Sequence, residues 1–297
     1  MDKIVYEKYR LAGEIAAEAR DLGVRLIKPG VSVLEVAEKI EEYIKSRGAE
    51  PSFPVNISIN EVAAHFTPRS NYKEVFRRGD VVKLDVGTHV DGYIADTAIT
   101  VEVSDNKYTG MIKTVEEALE KAIEIIKPGV HVSEIGRVIE ETVVSQGYKP
   151  IDNLTGHSLS RYILHAGLSI PNVASMRIVG KLKKGDVVAI EPFVTNGRGH
   201  VISGDGSNIY IIKQSLRLIR EKQTRIFLQK LRTRFKTLPF AHRWCTRLSG
   251  YSEATLNRLN YLGFISQYPQ LVEENKGIVT QKEHTLILTE NSCEVIT

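Results

Sequence analysis

Cysteine is nearly absent: Cys245 and Cys293 are the only two in 297 residues. Two cysteines cannot build a disulfide framework, and at this separation they form no CxxC site, so a reducing, cytoplasmic setting is expected. No run of eighteen apolar residues occurs, which excludes a membrane-spanning helix. The opening stretch Met1-Asp2-Lys3-Ile4-Val5-Tyr6-Glu7 carries acids and lacks an apolar core, so no secretion signal is expected. Excess charge is also missing. A formal net charge of +4 is too small to argue nucleic-acid binding by itself. With 42% hydrophobic and 26% charged residues, what remains is an ordinary globular chain able to fill a core. Its length suits one large domain, or a domain with an insertion.

What the sequence does contain is a repeat of itself. Residues 27–35, Ile-Lys-Pro-Gly-Val-Ser-Val-Leu-Glu, return at 126–134 as Ile-Lys-Pro-Gly-Val-His-Val-Ser-Glu, an offset of 99. Ile40-Glu41-Glu42, Gly48 and Pro51 return at that offset as Ile139-Glu140-Glu141, Gly147 and Pro150. Gly79-Asp80-Val81-Val82-Lys83-Leu84-Asp85 returns at an offset of 106 as Gly185-Asp186-Val187-Val188-Ala189-Ile190-Glu191. Each half reads as helix, Pro-Gly turn, second helix, then strands. Ser32 and Glu35 form a capping box, and His131 and Glu134 take the same slots in the second half. Val33, Val36, Ala37, Ile40 and Ile44 make one apolar helix face, and Gly48 is a helix stop. Val81–Val86 and Val187–Ile190 are short and β-branched, as buried strands are. An α+β fold follows, with two pseudo-twofold halves, strands inside and helices on one side. The repeat ends near residue 194. A duplicated core domain over 1–197 and 273–297 is therefore expected to be interrupted by a helical insertion at 198–272. Helices are expected there from Ser215 to about Lys236 and from Ser252 to about Leu262. Residues 277–280 and 284–288 read as closing strands.

Carboxylates fall on one place in this frame. Asp85 ends an apolar strand, where packing does not call for an acid. Asp91-Gly92 signals a two-residue hairpin loop, which pairs residue 90 with 93 and 87 with 96. Asp85 and Asp96 are then diagonal neighbours on one face, about 7–8 Å apart at the backbone. Alone, this motif also fits a solvated hairpin. The duplication adds Glu191, in the slot equivalent to Asp85, and a pseudo-twofold brings the two slots together. Three buried carboxylates repel unless protonated or held by cations. His157, His65 and His165 lie in apolar or small-residue contexts. Each alone is equally the pattern of a structural histidine.

At this point the motifs resemble the type II methionine aminopeptidases of pita-bread fold, in their compact archaeal-like form. The resemblance runs from Lys28-Pro29-Gly30 to Glu283-His284-Thr285. It includes Phe53-Pro54-Val55-Asn56, Asn60-Glu61-Val62-Ala63-Ala64-His65, Leu84-Asp85-Val86-Gly87, Asp96-Thr97-Ala98, Gly156-His157, Leu164-His165-Ala166-Gly167 and Ile190-Glu191-Pro192-Phe193. In the insert it includes Thr237-Leu238-Pro239-Phe240-Ala241 and Arg243-Trp244. The run Asn196-Gly197-Arg198-Gly199-His200 departs from the family pattern. The resemblance implies five ligands for two divalent ions (cobalt, manganese, iron or zinc): Asp85, Asp96, His157, Glu191 and Glu283. Asp96 and Glu283 would bridge the ions. Glu191 would also act as general base, with His65 and His165 at the substrate and the developing intermediate. Phe53, Pro54, Leu164 and Phe193 are candidates for the apolar pocket, and equally for core packing. The implied activity is hydrolytic removal of initiator methionine from nascent polypeptide N-termini when the second residue is small. Rival readings are an Xaa-Pro peptidase and a non-enzymatic ribosome-binding relative.

A monomer without membrane contact is expected. The insert is rich in cations: Lys213, Arg217, Arg220, Lys222, Arg225, Lys230, Arg232, Arg234, Lys236, Arg243 and Arg247, against the single acid Glu221. Such a face is commonly just solvated, and alternatively contacts ribosomal RNA.

Overall fold

The computed structural model describes residues 1–175, 177–215 and 218–297. The two halves begin alike. Helix α1 (Lys3–Leu26) and helix α2 (Val33–Ser46) open the first half. Helix α3 (Thr109–Ile125) and helix α4 (Val132–Ser145) open the second. Ser32 caps α2 by accepting from the Glu35 N–H at 3.4 Å, and His131 caps α4 by accepting from the Ser133 N–H. Gly48 and Gly147 follow the two helices with φ of +82° and +81°, a region in which an L side chain is strained.

The core is likewise doubled. Val33, Val36, Ala37, Ile40 and Ile44 pack with Ile15 and Ala19 of α1 onto Val82, Leu84 and Val86. In the second half Val115, Ala118, Leu119, Ile135, Ile139 and Val143 pack onto Val188, Ile190, Val194 and Leu286. Each strand layer therefore carries helices on one face and keeps the other for the site.

Strand Val81–Val90 is the spine of the first half. It pairs antiparallel with Tyr93–Glu102 on one side, and with Asn56–Ile59 and Glu50–Pro51 on the other. Asp85 thus sits within a ten-residue strand rather than at its end. In the second half Val187–Ile190 pairs with His284–Leu288 and with Thr155–Ser158. The halves join where Ala98 bridges Glu283. Asp96 N–H donates to Thr285 Oγ1 at 2.7 Å, and Thr285 Oγ1 donates back to the Asp96 carbonyl at 2.8 Å.

Residues 198–272 hold more strand than expected. Val201–Ile212 and Ile265–Glu273 form a long antiparallel pair, with register shifts around Gly206. Gly204 and Gly206, with Ser203 and Asp205, hide this strand from β-propensity. Between the strands run α5 (Lys222–Phe235), α6 (His242–Cys245) and α7 (Glu253–Tyr261). Their apolar faces, Phe227, Leu228, Leu231, Leu256 and Leu259, close on Tyr210, Phe240 and Phe264. The helix expected from Ser215 begins only at Lys222. Leu218 is 88% exposed, and of this stretch Ile219 packs partly on the insert's apolar cluster. Leu216 and Arg217 lie outside the described residues.

Candidate metal centre

Strand alternation builds the first part of the site. Val82, Leu84 and Val86 face the helices, so Asp85 and Gly87 face away from them. Asp91 and Gly92 have φ of +52° and +89°, the two left-handed positions of a tight hairpin turn. The turn sets the register Val90 to Tyr93, Gly87 to Asp96 and Asp85 to Ala98. Asp85 and Asp96 are diagonal neighbours, as the hairpin reading expects. Gly87, opposite Asp96, leaves room for an aromatic ring. A Cβ there would lie 2.1 Å from the Phe53 ring and 2.3 Å from Ser52 Oγ.

The second half supplies the rest. His157 is paired with Ala189 and His284 with Ile190, which brings His157, Glu191 and Glu283 to one edge. His157 Nε2 lies 3.5 Å from Glu191 Oε1 and 3.8 Å from Asp96 Oδ2. Asp96, His157 and Glu283 present ligand atoms within 4.8 Å of one another.

Electrostatics mark the cluster as one built for cations. Burial lifts the Asp85 carboxyl to about 7. Asp96 is raised well above its ordinary value by burial, then by the charges of Asp85 and Glu191. Glu191 is raised by burial and by Asp85, and Glu283 by burial and by Asp96, Glu191 and Asp85. Asp85 Oδ1, Asp96 Oδ1, Glu283 Oε1 and His157 Nδ1 are buried without a hydrogen-bond partner. Unpaired buried polar atoms and mutually repelling acids are both costly, and divalent ions relieve both. His157 is driven down to about 3 by burial and then by His165, which leaves a neutral imidazole with a free lone pair. Four hard oxygen donors with one borderline nitrogen suit divalent first-row metals, so the residues present fit such ions.

Around the cluster stand the other residues singled out from the sequence. The His165 ring lies 4.4 Å from that of His157 at 69°. His65 is lowered to about 4, first by burial and then by the nearby His165. Phe53 is 5% exposed and Pro54 is buried. Leu164 is half-buried beside Leu159 and Leu238. Phe193 is 1% exposed, inside a cluster with Ala63, Ala64, Ile151, Val201 and Val279, and so carries little open face.

Three neighbours escaped the sequence reading. Gln281, 1% exposed, points its amide at Glu191 Oε2 at 3.5 Å. The Tyr268 ring lies 5.3 Å from that of His65. Thr97 Oγ1 accepts from Arg20 Nη1 at 2.7 Å and donates to the Glu283 carbonyl at 2.9 Å. Of these, Thr97 stood within the motif Asp96-Thr97-Ala98 with no role read for it, and Gln281 carried a weak signal, two residues before Glu283.

Known proteins resemble this chain over nearly its whole length. The profile of Metallopeptidase family M24 matches residues 7–220. A methionine aminopeptidase of Methanocaldococcus jannaschii is 49% identical over 98% of this chain and 98% of its own. One of Archaeoglobus fulgidus is 47% identical over 100% of both chains. Among solved structures, a methionine aminopeptidase of Thermotoga maritima superposes with a TM-score of 0.72 at 26% identity, covering 100% of this chain and 98% of that one. The doubled α+β core is thus the pita-bread architecture.

Proposed function

The chain belongs to metallopeptidase family M24, and we propose that it hydrolyses the N-terminal methionine from nascent proteins and peptides whose second residue is small. Divalent-metal peptide hydrolysis follows from the family. The specificity is supported chiefly by near-full-length similarity to methionine aminopeptidases.

Asp85, Asp96, His157, Glu191 and Glu283 would hold two divalent ions. Cobalt, manganese, iron and zinc all suit this donor set. Bound there, such ions would supply Lewis acidity, lowering the pKa of water and polarising a peptide carbonyl. Glu191 takes the proton from the attacking water and returns it to the leaving amine. Its length lets it reach inward while Gln281 steadies its other oxygen. His65 and His165, both lowered by burial, stand as neutral N–H donors to the substrate amide and to the oxyanion. The free α-amine of the substrate would be recognised at this ion-holding cluster, which confines cleavage to chain ends. Phe53, Pro54 and Leu164 offer apolar wall for the thioether, whereas Phe193 is packed with Ala63, Ala64, Ile151, Val201 and Val279.

The place of action we propose is the cytoplasm, where nascent chains emerge, a reading supported by the two unpaired thiols Cys245 and Cys293. Among the described residues no helix is long and apolar enough to cross a membrane. Contact of the insert with ribosomal RNA is supported by the exposed cations Lys222, Arg225, Lys230 and Arg232 along α5. Arg243 does not belong to that face, being 5% exposed and paired with Glu41, and Arg234 is engaged by Glu50 at 2.9 Å. Co-sedimentation with purified ribosomes at low salt, lost at high salt, is expected; no low-salt binding removes the RNA contact.

The assignment is tested on a peptide panel. Met-Ala-Ser is expected to be cleaved far faster than peptides with a bulky second residue, and faster than Leu-Pro or Ala-Pro. Preference for the proline dipeptides overturns it.

A further inference from the structure

A cluster of buried polar groups outside the metal centre joins α2 to α6. Glu41 of α2 is 3% exposed, and Arg243 of α6 is 5% exposed. The Arg243 guanidinium donates through Nη2 to Glu41 Oε1. Glu41 also accepts from Trp244 Nε1 at 2.8 Å and from the Val55 N–H at 3.2 Å. Through Nη1, Arg243 donates to Thr67 Oγ1 at 2.6 Å and to the Pro68 carbonyl at 3.0 Å. Thr67 is fully buried, and its hydroxyl donates to the Val55 carbonyl at 2.8 Å. One ion pair therefore grips two separate segments. The first is Phe53-Pro54-Val55-Asn56, whose Phe53 ring lies on Gly87 beside Asp85 and Asp96. The second is His65-Phe66-Thr67-Pro68.

We propose that Glu41, Arg243 and Thr67 form a positioning clasp that fixes the Phe53 wall relative to the His65 imidazole across the substrate pocket. A single well-packed ion pair is a poor source of stability, since replacing it by apolar residues is often neutral. Its value here is register. Removing one partner loosens two loops at once, because the clasp joins them alongside the Ile57 N–H to Phe66 carbonyl bond at 2.8 Å and the packing of Phe66 on Val55 and Ile57. His65 itself sits at φ +62°, a conformation that a non-glycine residue keeps only when its surroundings hold it. The clasp also ties the insert to the first half: Arg243 of α6 reaches back to Glu41 of α2. None of the three residues touches substrate; they act through Phe53 and His65, so the inference rests on the roles proposed for those two.

The test uses the full chain loaded with cobalt, and four variants: Thr67→Val, Glu41→Met with Arg243→Met, His65→Ala, and Thr67→Val with His65→Ala. Thr67→Val removes one hydroxyl at constant shape. The double methionine change removes both charges, so no uncompensated buried ion remains to prevent folding. Both are expected to keep the parent's metal content and to stay folded, with a melting temperature lowered by a few degrees because each leaves buried polar groups unpaired. Their kcat/KM on Met-Ala-Ser is expected to fall about ten- to a hundred-fold, the size of effect that misplacing a catalytic group by about an ångström produces. In the His65→Ala background, Thr67→Val is expected to cost less than about threefold, because the group it positions is already gone. Multiplicative losses in that cycle, or parent-like kcat/KM in both clasp variants, overturn the clasp. If His65→Ala is itself as active as the parent, the role given to His65 fails, and the clasp with it.

Discussion

Asp85 and Glu191 occupy equivalent slots of the two halves and differ by one methylene. The shorter side chain stays close to its strand, whereas the longer one reaches the space where water and peptide meet. Glu191→Gln keeps shape and one ligand oxygen but loses basicity. Turnover is expected to fall about a hundred- to ten-thousand-fold, while metal content falls less than in Asp96→Asn. Turnover and metal stoichiometry measured together on both variants check this, and a fully metallated Glu191→Gln of near-parent activity refutes it. Gly87 gives a steric counterpart. Gly87→Ala sets a methyl 2.1 Å from the Phe53 ring, so the ring must shift. A loss of about 1–3 kcal/mol in stability is expected, with a raised KM for Met-Ala-Ser. Denaturant unfolding and steady-state kinetics read the two effects separately. At this scale the acids were legible because Asp91-Gly92 fixes a register and the repeat copies one slot. Convergence of Glu283 was not legible from the repeat and entered only through family resemblance. Tyr268 was invisible and Gln281 nearly so, since their contacts cross between strands with no periodic trace.

Among the elements, the paired helices were the best read. Their caps, apolar stripes and glycine stops recur at a fixed offset, so each half checks the other. Ser32→Ala should cost about 1 kcal/mol, the usual worth of such a cap, and leave the site intact. A fall in the urea midpoint with unchanged kcat/KM is the expected pair of results; an unchanged midpoint contradicts the capping role. The insert was read less well, and the reasons are local. Leu218 and Arg220 continue a plausible helical pattern, but nothing packs on Leu218, and the helix waits until Lys222. Strand Val201–Ile212 is broken by two glycines and a bulged register, so its pairing with Ile265–Glu273 is set by tertiary contact and not by propensity. Arg243 counted as surface charge in the sequence; in the fold it is buried against Glu41.

Across the whole molecule, the pseudo-twofold places the acids of both halves in one buried space, and that choice has a thermodynamic consequence. In metal-free protein the cluster carboxyls are held above their ordinary values, Asp85 at about 7. A raised carboxyl pKa in the fold favours the folded state at low pH, and that stabilisation is lost as pH rises through the folded-state value. The melting temperature of chelated protein is therefore expected to drop by several degrees between pH 5 and pH 8, and divalent metal to restore most at pH 8, where protons no longer compete. Differential scanning calorimetry across that range checks the sign; a chelated protein that grows more stable as pH rises contradicts it. The most direct measurement of the central claim is hydrolysis of Met-Ala-Ser by one preparation before chelation, after chelation and after reloading, with metal content determined at each stage. Activity that vanishes with the metal and returns with about two divalent ions per chain is the expected result. Full activity in protein shown by elemental analysis to be metal-free would contradict the account.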